Sequence, residues 1–204
     1  ALPIFKTMGH DVVFAFPEGE MMLAMSAPGA GEDRRVGHRR LYFIWYRPGS
    51  REGIRDLFID AHGKDHGVAI PPPLIRAEHI AALREKAREI LPSCLSEVVV
   101  RTPQILLQAV SDLQTPQMVF GRVALMGDAA FVARPHTAAG VSKAALDARC
   151  LADALADTRG DVPASLARYE TERLAFGRRL CEHSRDLGAY LQGRSKPARS
   201  EEHT

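Results

Sequence analysis

The chain has 204 residues, 46% of them hydrophobic and 25% charged, and its 27 Lys and Arg against 25 Asp and Glu leave a formal net charge of +2. Because a charge so close to zero gives no general attraction to nucleic acid or to anionic lipid, we expect neither as a partner. Neither a membrane span of roughly 18 apolar residues nor a signal-peptide order is found, and the scattered cysteines show no zinc spacing, which predicts a cytoplasmic protein without a metal.

The first third of the chain carries strand signals. Residues 11–16 are β-branched and aromatic, residues 17–20 form a turn signal with Pro and Gly, and residues 21–25 are apolar again, which predicts a β-hairpin. Residues 41–47 are the strongest strand signal and end at a Pro-Gly pair. Since no helical segment separates these strands, we expect an antiparallel or mixed sheet.

A helical pattern follows the strands, and further strand signals come after it. Residues 78–91 place their apolar side chains on one face and predict an amphipathic helix on the sheet, closed by Pro92. Residues 105–110, 119–120 and 122–126 read as further strands, the last of them buried.

Two helices follow. One has its small apolar face from Val141 to Leu155, and another begins near Pro163. The tail from residue 193 is expected to be disordered.

The most informative segment is GRVALMGDAA at residues 121–130, followed by Arg134-Pro135-His136 and Gly140. Gly127 lets the chain turn sharply after a strand and admits a close ligand. Asp128 then projects a carboxylate beyond the strand end, where it suits sugar hydroxyls. An aspartate that caps a turn or a helix is the alternative.

The loop after this turn has its own signals. Pro135 fixes its backbone and restricts Arg134, which suits a rigid loop against a flat ring. Gly140 precedes a helix whose unpaired N–H groups would stabilise negative charge. A helix that simply starts after a glycine remains the alternative.

In these residues the chain resembles class A FAD-dependent aromatic monooxygenases, whose usual pattern is Gly-Asp-Ala-Ala-His, then a proline, then a glycine that opens a helix. Phe131 stands where many members have His, and Arg134-Pro135-His136 replaces a Pro-rich loop. Both departures fit the dihydroxypyridine-hydroxylase branch. The resemblance implies an α+β fold, part of the FAD/NAD(P)-binding monooxygenase fold, with a substrate-domain sheet, a returning flavin-binding strand and C-terminal helices.

The resemblance also implies a cofactor and its contacts. FAD would be reduced by NADH or NADPH and react with O2 to a C4a-hydroperoxide, which transfers one oxygen to a small hydroxypyridine- or phenol-type aromatic substrate. Asp128 would hold a ribityl hydroxyl, and Pro135 would lie where oxygen reacts. The other cofactor contacts would be Gly127, Ala139, Gly140 and Val141.

Catalytic and substrate residues are suggested more weakly. His136 could deprotonate a phenolic hydroxyl, because an imidazole titrates near pH ~6.5, and Arg134 could pair with an anionic substrate. Gln108 and Asp112 lie four apart and, on a regular strand, would face a substrate cavity together. Each of the four could instead be a loop or sheet-edge group in water.

The resemblance implies that residues 1–100 form a substrate-binding sheet portion and residues 101–192 a flavin-binding portion. No Gly-x-Gly-x-x-Gly occurs in the chain, so the adenosine side of the site is expected to need a missing N-terminal FAD-binding segment. Three hypotheses follow: the C-terminal part of a hydroxylase, a non-catalytic flavin- or aromatic-binding module, and a truncated remnant that forms a homodimer through exposed apolar faces.

Overall fold

The computed structural model describes residues 11–159 and 161–193. The expected disordered tail lies outside these residues except for its first one. The chain divides into two compact units, one reaching to Ala109 with Leu191–Gly193, the other including Val110–Tyr190. The mixture of helices and small antiparallel sheets confirms the α+β prediction.

The first unit begins with a sheet of three antiparallel strands in the order β1 (Val13–Ala15), β2 (Met21–Ala27) and β3 (Arg40–Tyr46). The predicted hairpin and third strand are therefore confirmed. Side chains alternate across β2, because Met22 and Ala24 are fully buried while their neighbour Leu23 is only half-buried. One face of this sheet is thus a core face.

The described part of the same unit also contains the α-helices α1 (Arg51–Leu57), α2 (Ala77–Ile90) and α3 (Ser93–Arg101). The amphipathic helix is confirmed as α2. Pro92 does more than close it, because it directly precedes α3, which the sequence did not predict. Both helices pack with the sheet in one cluster of buried residues: Met22, Ala24, Ala87, Leu91, Leu95, Val98 and Val99.

The predicted strand at residues 105–110 is wrong, since only Gln108 makes an isolated bridge there, to Ala69. Ile105 is buried and Leu107 packs against a small cluster around Phe58, while Leu106 is exposed. The alternation of apolar side chains is real, but it is satisfied by packing without a neighbouring strand.

The second unit contains two-residue strands. β4 (Leu113–Gln114) pairs with β7 (Phe131–Val132), and β5 (Val119–Phe120) pairs with β6 (Val123–Ala124), all antiparallel. The predicted buried strand at residues 122–126 is wrong in length and burial, because β6 lies in a tight hairpin and Val123 is 60% exposed.

Two long helices complete this unit, α4 (Gly140–Asp157) and α5 (Val162–Leu191), as predicted. The predicted apolar face of α4 is wrong: Val141 is exposed, and the buried residues are Lys143, Asp147 and Ala154. Within the described residues, no helix is long and apolar enough to cross a membrane.

Candidate functional site

The Gly-Asp turn follows the extended residue Met126 and forms a 3-10 turn over Gly127–Ala129. Gly127 is buried and has a φ of +58°, a left-handed conformation that favours glycine. A Cβ on Gly127 would also lie 3.3 Å from the Cβ of Ala144. Its left-handed conformation therefore favours glycine, and its close approach to α4 leaves little room for a side chain.

Asp128 projects from this turn into solvent. Its side chain is exposed, and its carboxylate makes no hydrogen bond or ion pair with the part of the chain that the structure describes. The alternative of an aspartate that caps a turn or a helix finds no support here. An acceptor held on a rigid turn without an internal partner is available to a ligand.

The start of α4 is also uncapped. Arg134 precedes a 3-10 turn over Pro135–Thr137, and Ala138 then takes a left-handed φ of +51°. Ala139 is the N-cap residue and supplies no side-chain hydrogen bond. The first intrahelical bond of α4 runs from the N–H of Lys143 to the carbonyl of Ala139 at 2.8 Å.

The N–H groups of Gly140, Val141 and Ser142 consequently have no acceptor within the helix. A Cβ on Gly140 would meet nothing within 4 Å, and Val141 is 86% exposed. Open space thus lies in front of the positive end of the α4 dipole, where a negative charge is stabilised.

His136 lies against α5. A Cβ on Gly188 would approach the imidazole Cε1 and Nδ1 to 2.8 Å, so the ring packs on the backbone of that glycine. Partial burial and, secondly, the positive charge of Arg134 lower the pKa of His136 below its usual value. The imidazole is therefore neutral at neutral pH and has the protonation state of a base.

Asp112 and Arg134 are brought together by the structure. Oδ1 of Asp112 lies 3.7 Å from a guanidinium nitrogen of Arg134, and Oδ2 accepts a hydrogen bond from Nε of Arg185 on α5. The backbone N–H of Arg134 donates to Oγ of Ser184 at 3.2 Å. Asp112 therefore forms an ion pair with the arginine of the loop.

Gln108 belongs to the first unit, where it makes the bridge to Ala69. Neither Gln108 nor Asp112 lies in a strand. The expectation that they share the face of one strand is wrong, because the chain is irregular between them.

A buried ionic cluster beneath the turn was missed by the sequence reading. Asp147 accepts from Nζ of Lys143 at 2.7 Å and from Nε of Arg173 at 2.7 Å. The side chains of Lys143 and Asp147 are each 1% exposed. A lysine and an aspartate four residues apart on a helix are ordinarily a solvated ion pair, and Arg173 comes from another helix.

This cluster binds both polar groups of Gly127. Its N–H donates to Oδ2 of Asp147 at 2.9 Å, and its carbonyl accepts from Nζ of Lys143 at 2.8 Å. Burial alone would raise the pKa of Asp147, but the hydrogen bonds from Lys143, Arg173 and Gly127 outweigh it and hold the pKa below its usual value.

Helix α5 supports the segment at further points. Phe131, at the position where the family pattern often has His, is 1% exposed and packs its ring on Gly177. The hydroxyl of Tyr169 donates to the carbonyl of Leu125 at 2.7 Å. The departure from the family pattern at Phe131 is therefore a core contact.

Among the described residues, a left-handed glycine turn, a carboxylate without a partner and a helix start without a side-chain cap occur together in an α+β chain. Fold and site define a class A FAD-dependent aromatic monooxygenase-like protein. The chain belongs to the FAD-binding domain family: a family model described as FAD binding domain matches residues 71–184, and one described as FAD binding domain-like matches residues 3–112.

Among curated relatives, the 2,6-dihydroxypyridine 3-monooxygenase of Paenarthrobacter nicotinovorans is 29% identical over 154 residues, which are 75% of this chain and 38% of that protein. The salicylate hydroxylase of Pseudomonas putida is 43% identical over 75 residues, 35% of this chain and 17% of that enzyme. The chain thus spans well under half the length of these relatives.

Solved structures agree. The 2,6-dihydroxypyridine-3-hydroxylase from Arthrobacter nicotinovorans superimposes with a TM-score of 0.82 at 26% identity, over 93% of this chain and 48% of that one. HpxO of Klebsiella pneumoniae, complexed with FAD and uric acid, gives a TM-score of 0.64 at 20% identity over 94% of this chain and 42% of that one, which supports the fold.

Proposed function

We propose that this chain forms the isoalloxazine and ribityl side of the FAD site in an aromatic ring hydroxylase. In this proposal, residues 1–100 belong to the substrate-binding sheet and residues 101–192 to the flavin-binding portion. The observation that carries it is the exposed carboxylate of Asp128, held without a partner among the described residues on the Gly127 turn.

The residues present fit the cofactor. The Asp128 carboxylate would accept a hydrogen bond from a ribityl hydroxyl. The N–H groups of Gly140 and Val141, which have no acceptor within the helix, would face the N1–C2=O edge of the ring beside Ala139, where the helix dipole stabilises negative charge. FAD, once reduced by NADH or NADPH, supplies the transfer of one oxygen atom from O2 to the substrate.

The substrate side of the proposal rests on the loop before α4. His136, neutral because its pKa is lowered by burial and by Arg134, would take the proton of a ring hydroxyl and raise the electron density of the aromatic ring. Arg134, paired with Asp112, would face the resulting anion. Pro135 would exclude water from the ring face nearby. A hydroxypyridine- or phenol-type substrate fits these groups.

We assign turnover to this chain only together with an adenosine-binding unit, because no Gly-x-Gly-x-x-Gly occurs in its sequence. Gln108 stays a proposed substrate contact.

The alternatives are a flavin- or aromatic-binding module without turnover and a dimerising remnant. The dimerising remnant is favoured by the exposed apolar side chains on the outer face of the sheet, such as Phe14 and Ile44. A dimer would cover them, and sedimentation velocity would detect it.

The test is a flavin titration of the purified 204-residue chain, with Asp128→Asn beside it. Loss of a hydrogen bond to a charged acceptor should raise the Kd for FAD about tenfold. The melting temperature should not change, because Asp128 has no internal partner in the described structure.

The matched control is Asp186→Asn, another exposed aspartate of the same unit. Its Kd should equal that of the unmodified chain. Equal Kd values for the two variants would overturn the role of Asp128.

A further inference from the structure

We propose that Lys143, Asp147 and Arg173 are positioning residues, which hold the Gly127–Asp128 turn in the conformation that presents the Asp128 carboxylate to the flavin. This inference rests on the proposed function for its link to flavin. Its mechanical part, the fixing of the turn, stands on contacts within the second unit alone.

Charged side chains bind the turn at Gly127. The N–H and the carbonyl of Gly127 are both bound by charged side chains, at 2.9 Å and 2.8 Å. Glycine alone populates left-handed and right-handed conformations about equally. Two charge-assisted bonds to a single residue therefore select one of several accessible conformations for the residue that precedes Asp128.

Burial makes the charges of this cluster costly. Lys143 and Asp147 are almost fully buried and Arg173 is 11% exposed. Nη2 of Arg173 is buried without a hydrogen-bond partner in the described part of the chain. Because apolar residues of the same volume often stabilise a core equally well or better, stability alone is a poor reason for these charges.

The cluster connects the two long helices of the unit. Lys143 and Asp147 lie one turn apart on α4, and Arg173 reaches Asp147 from α5. The ring of Phe131 lies 5.5 Å from Nζ of Lys143 and closes the side toward β7. Side chains of both long helices of the unit therefore hold the turn in place. Of these helices, α4 is the one whose start would face the flavin.

The informative variant is Lys143→Met, which removes one of the two bonds to Gly127 and leaves Asp147 paired with Arg173. The control is Arg149→Met, because Arg149 and Asp153 form an ion pair on α4 with the same i,i+4 spacing, but exposed. Asp147→Asn is the stronger variant and serves where it folds.

The primary measurement needs no flavin. Amide hydrogen exchange of the segment around Gly127 and Asp128, in the full 204-residue chain, should become at least about tenfold faster in Lys143→Met. The rest of α4 and α5 should keep its protection, and Arg149→Met should match the unmodified chain. Exchange that is unchanged, or that rises equally throughout the unit, would overturn the proposal.

If Lys143→Met does not fold, a second measurement on the unmodified chain tests the cluster. Slow exchange of the Lys143 ammonium protons, detected by NMR, is expected from its two bonds. Ammonium protons that exchange as fast as those of exposed lysines would contradict the cluster itself.

FAD titration separates the two claims. If the unmodified chain takes up no flavin, the proposed function fails, while the exchange result still decides whether the cluster fixes the turn. If the unmodified chain binds FAD, the Kd of folded Lys143→Met should rise at least about fivefold, in the range of a charge-assisted hydrogen bond. An unchanged Kd would overturn the link between the turn and the flavin.

Discussion

His136 and Asp128 show how differently two polar residues of one segment are placed. Asp128 is exposed and unpaired among the described residues, as a ligand contact should be. His136 packs its ring on Gly188 and carries a lowered pKa. The same packing partly buries the imidazole, which favours its neutral form.

The pKa of His136 predicts how stability depends on pH. Because the pKa of His136 is lower in the folded chain, the unfolded chain binds the proton more tightly. The contribution of His136 to the free energy of unfolding is therefore present above the unfolded pKa of ~6.5 and is lost as pH falls below it. Urea unfolding between pH 5 and pH 7.5 should show a smaller pH dependence in His136→Gln than in the unmodified chain.

The control for this prediction is His183→Gln, which removes an exposed imidazole on α5. That variant should keep the pH dependence of the unmodified chain. A His136→Gln variant with the full pH dependence would show that the titrating group lies elsewhere.

At the scale of the elements, α5 accommodates two rings through glycines. Gly177 receives the ring of Phe131 and Gly188 the ring of His136. These glycines are eleven positions apart, about three helical turns, so they lie near one face of the helix. Helix α5 therefore packs closely against Phe131 and His136 at two points about three turns apart.

Replacement of Gly177 by Ala tests this fit. The added Cβ would lie 2.6 Å from Cγ of Phe131, and overpacking of this kind costs about 1–3 kcal/mol. The higher helix propensity of alanine stabilises the helix by about 1 kcal/mol relative to glycine. We expect a net loss of roughly 1 kcal/mol in the free energy of unfolding, measured by urea denaturation.

The double variant Gly177→Ala with Phe131→Leu should be less destabilised than the two single losses added together, because the smaller side chain makes room for the methyl group. Additive losses, or a Gly177→Ala variant as stable as the unmodified chain, would contradict the packing seen between Gly177 and Phe131.

The sequence predicted those elements whose signals are local. The hairpin up to Met25, the helix α2 and the Gly127 turn depend on neighbouring residues, and each is confirmed. The predicted strand at residues 105–110 is wrong, because its apolar side chains pack without a neighbouring strand to pair with.

The buried face of α4 was misread for a different reason. Apolar periodicity favoured the side of Val141, but Lys143 and Asp147 are buried because Arg173 and the Gly127 backbone satisfy them. Arg173 is 26 residues beyond Asp147, and no pattern within one helix indicates such a partner. Polar burial of this kind follows only from tertiary structure.

For the molecule as a whole, the chain belongs to the FAD-binding domain family but spans 38% of one curated relative and 48% of one solved structure. The residues that fit a ligand, Asp128 and the start of α4, suit a sugar hydroxyl and a flat ring. The proposal is therefore that this chain recognises the isoalloxazine and ribityl part of FAD.

That statement is tested most directly by calorimetric titration of the 204-residue chain with riboflavin and, separately, with ADP. We predict that riboflavin binds, that it competes with FAD, and that ADP neither binds nor competes. Binding of ADP without riboflavin, or FAD binding that riboflavin cannot displace, would contradict the account.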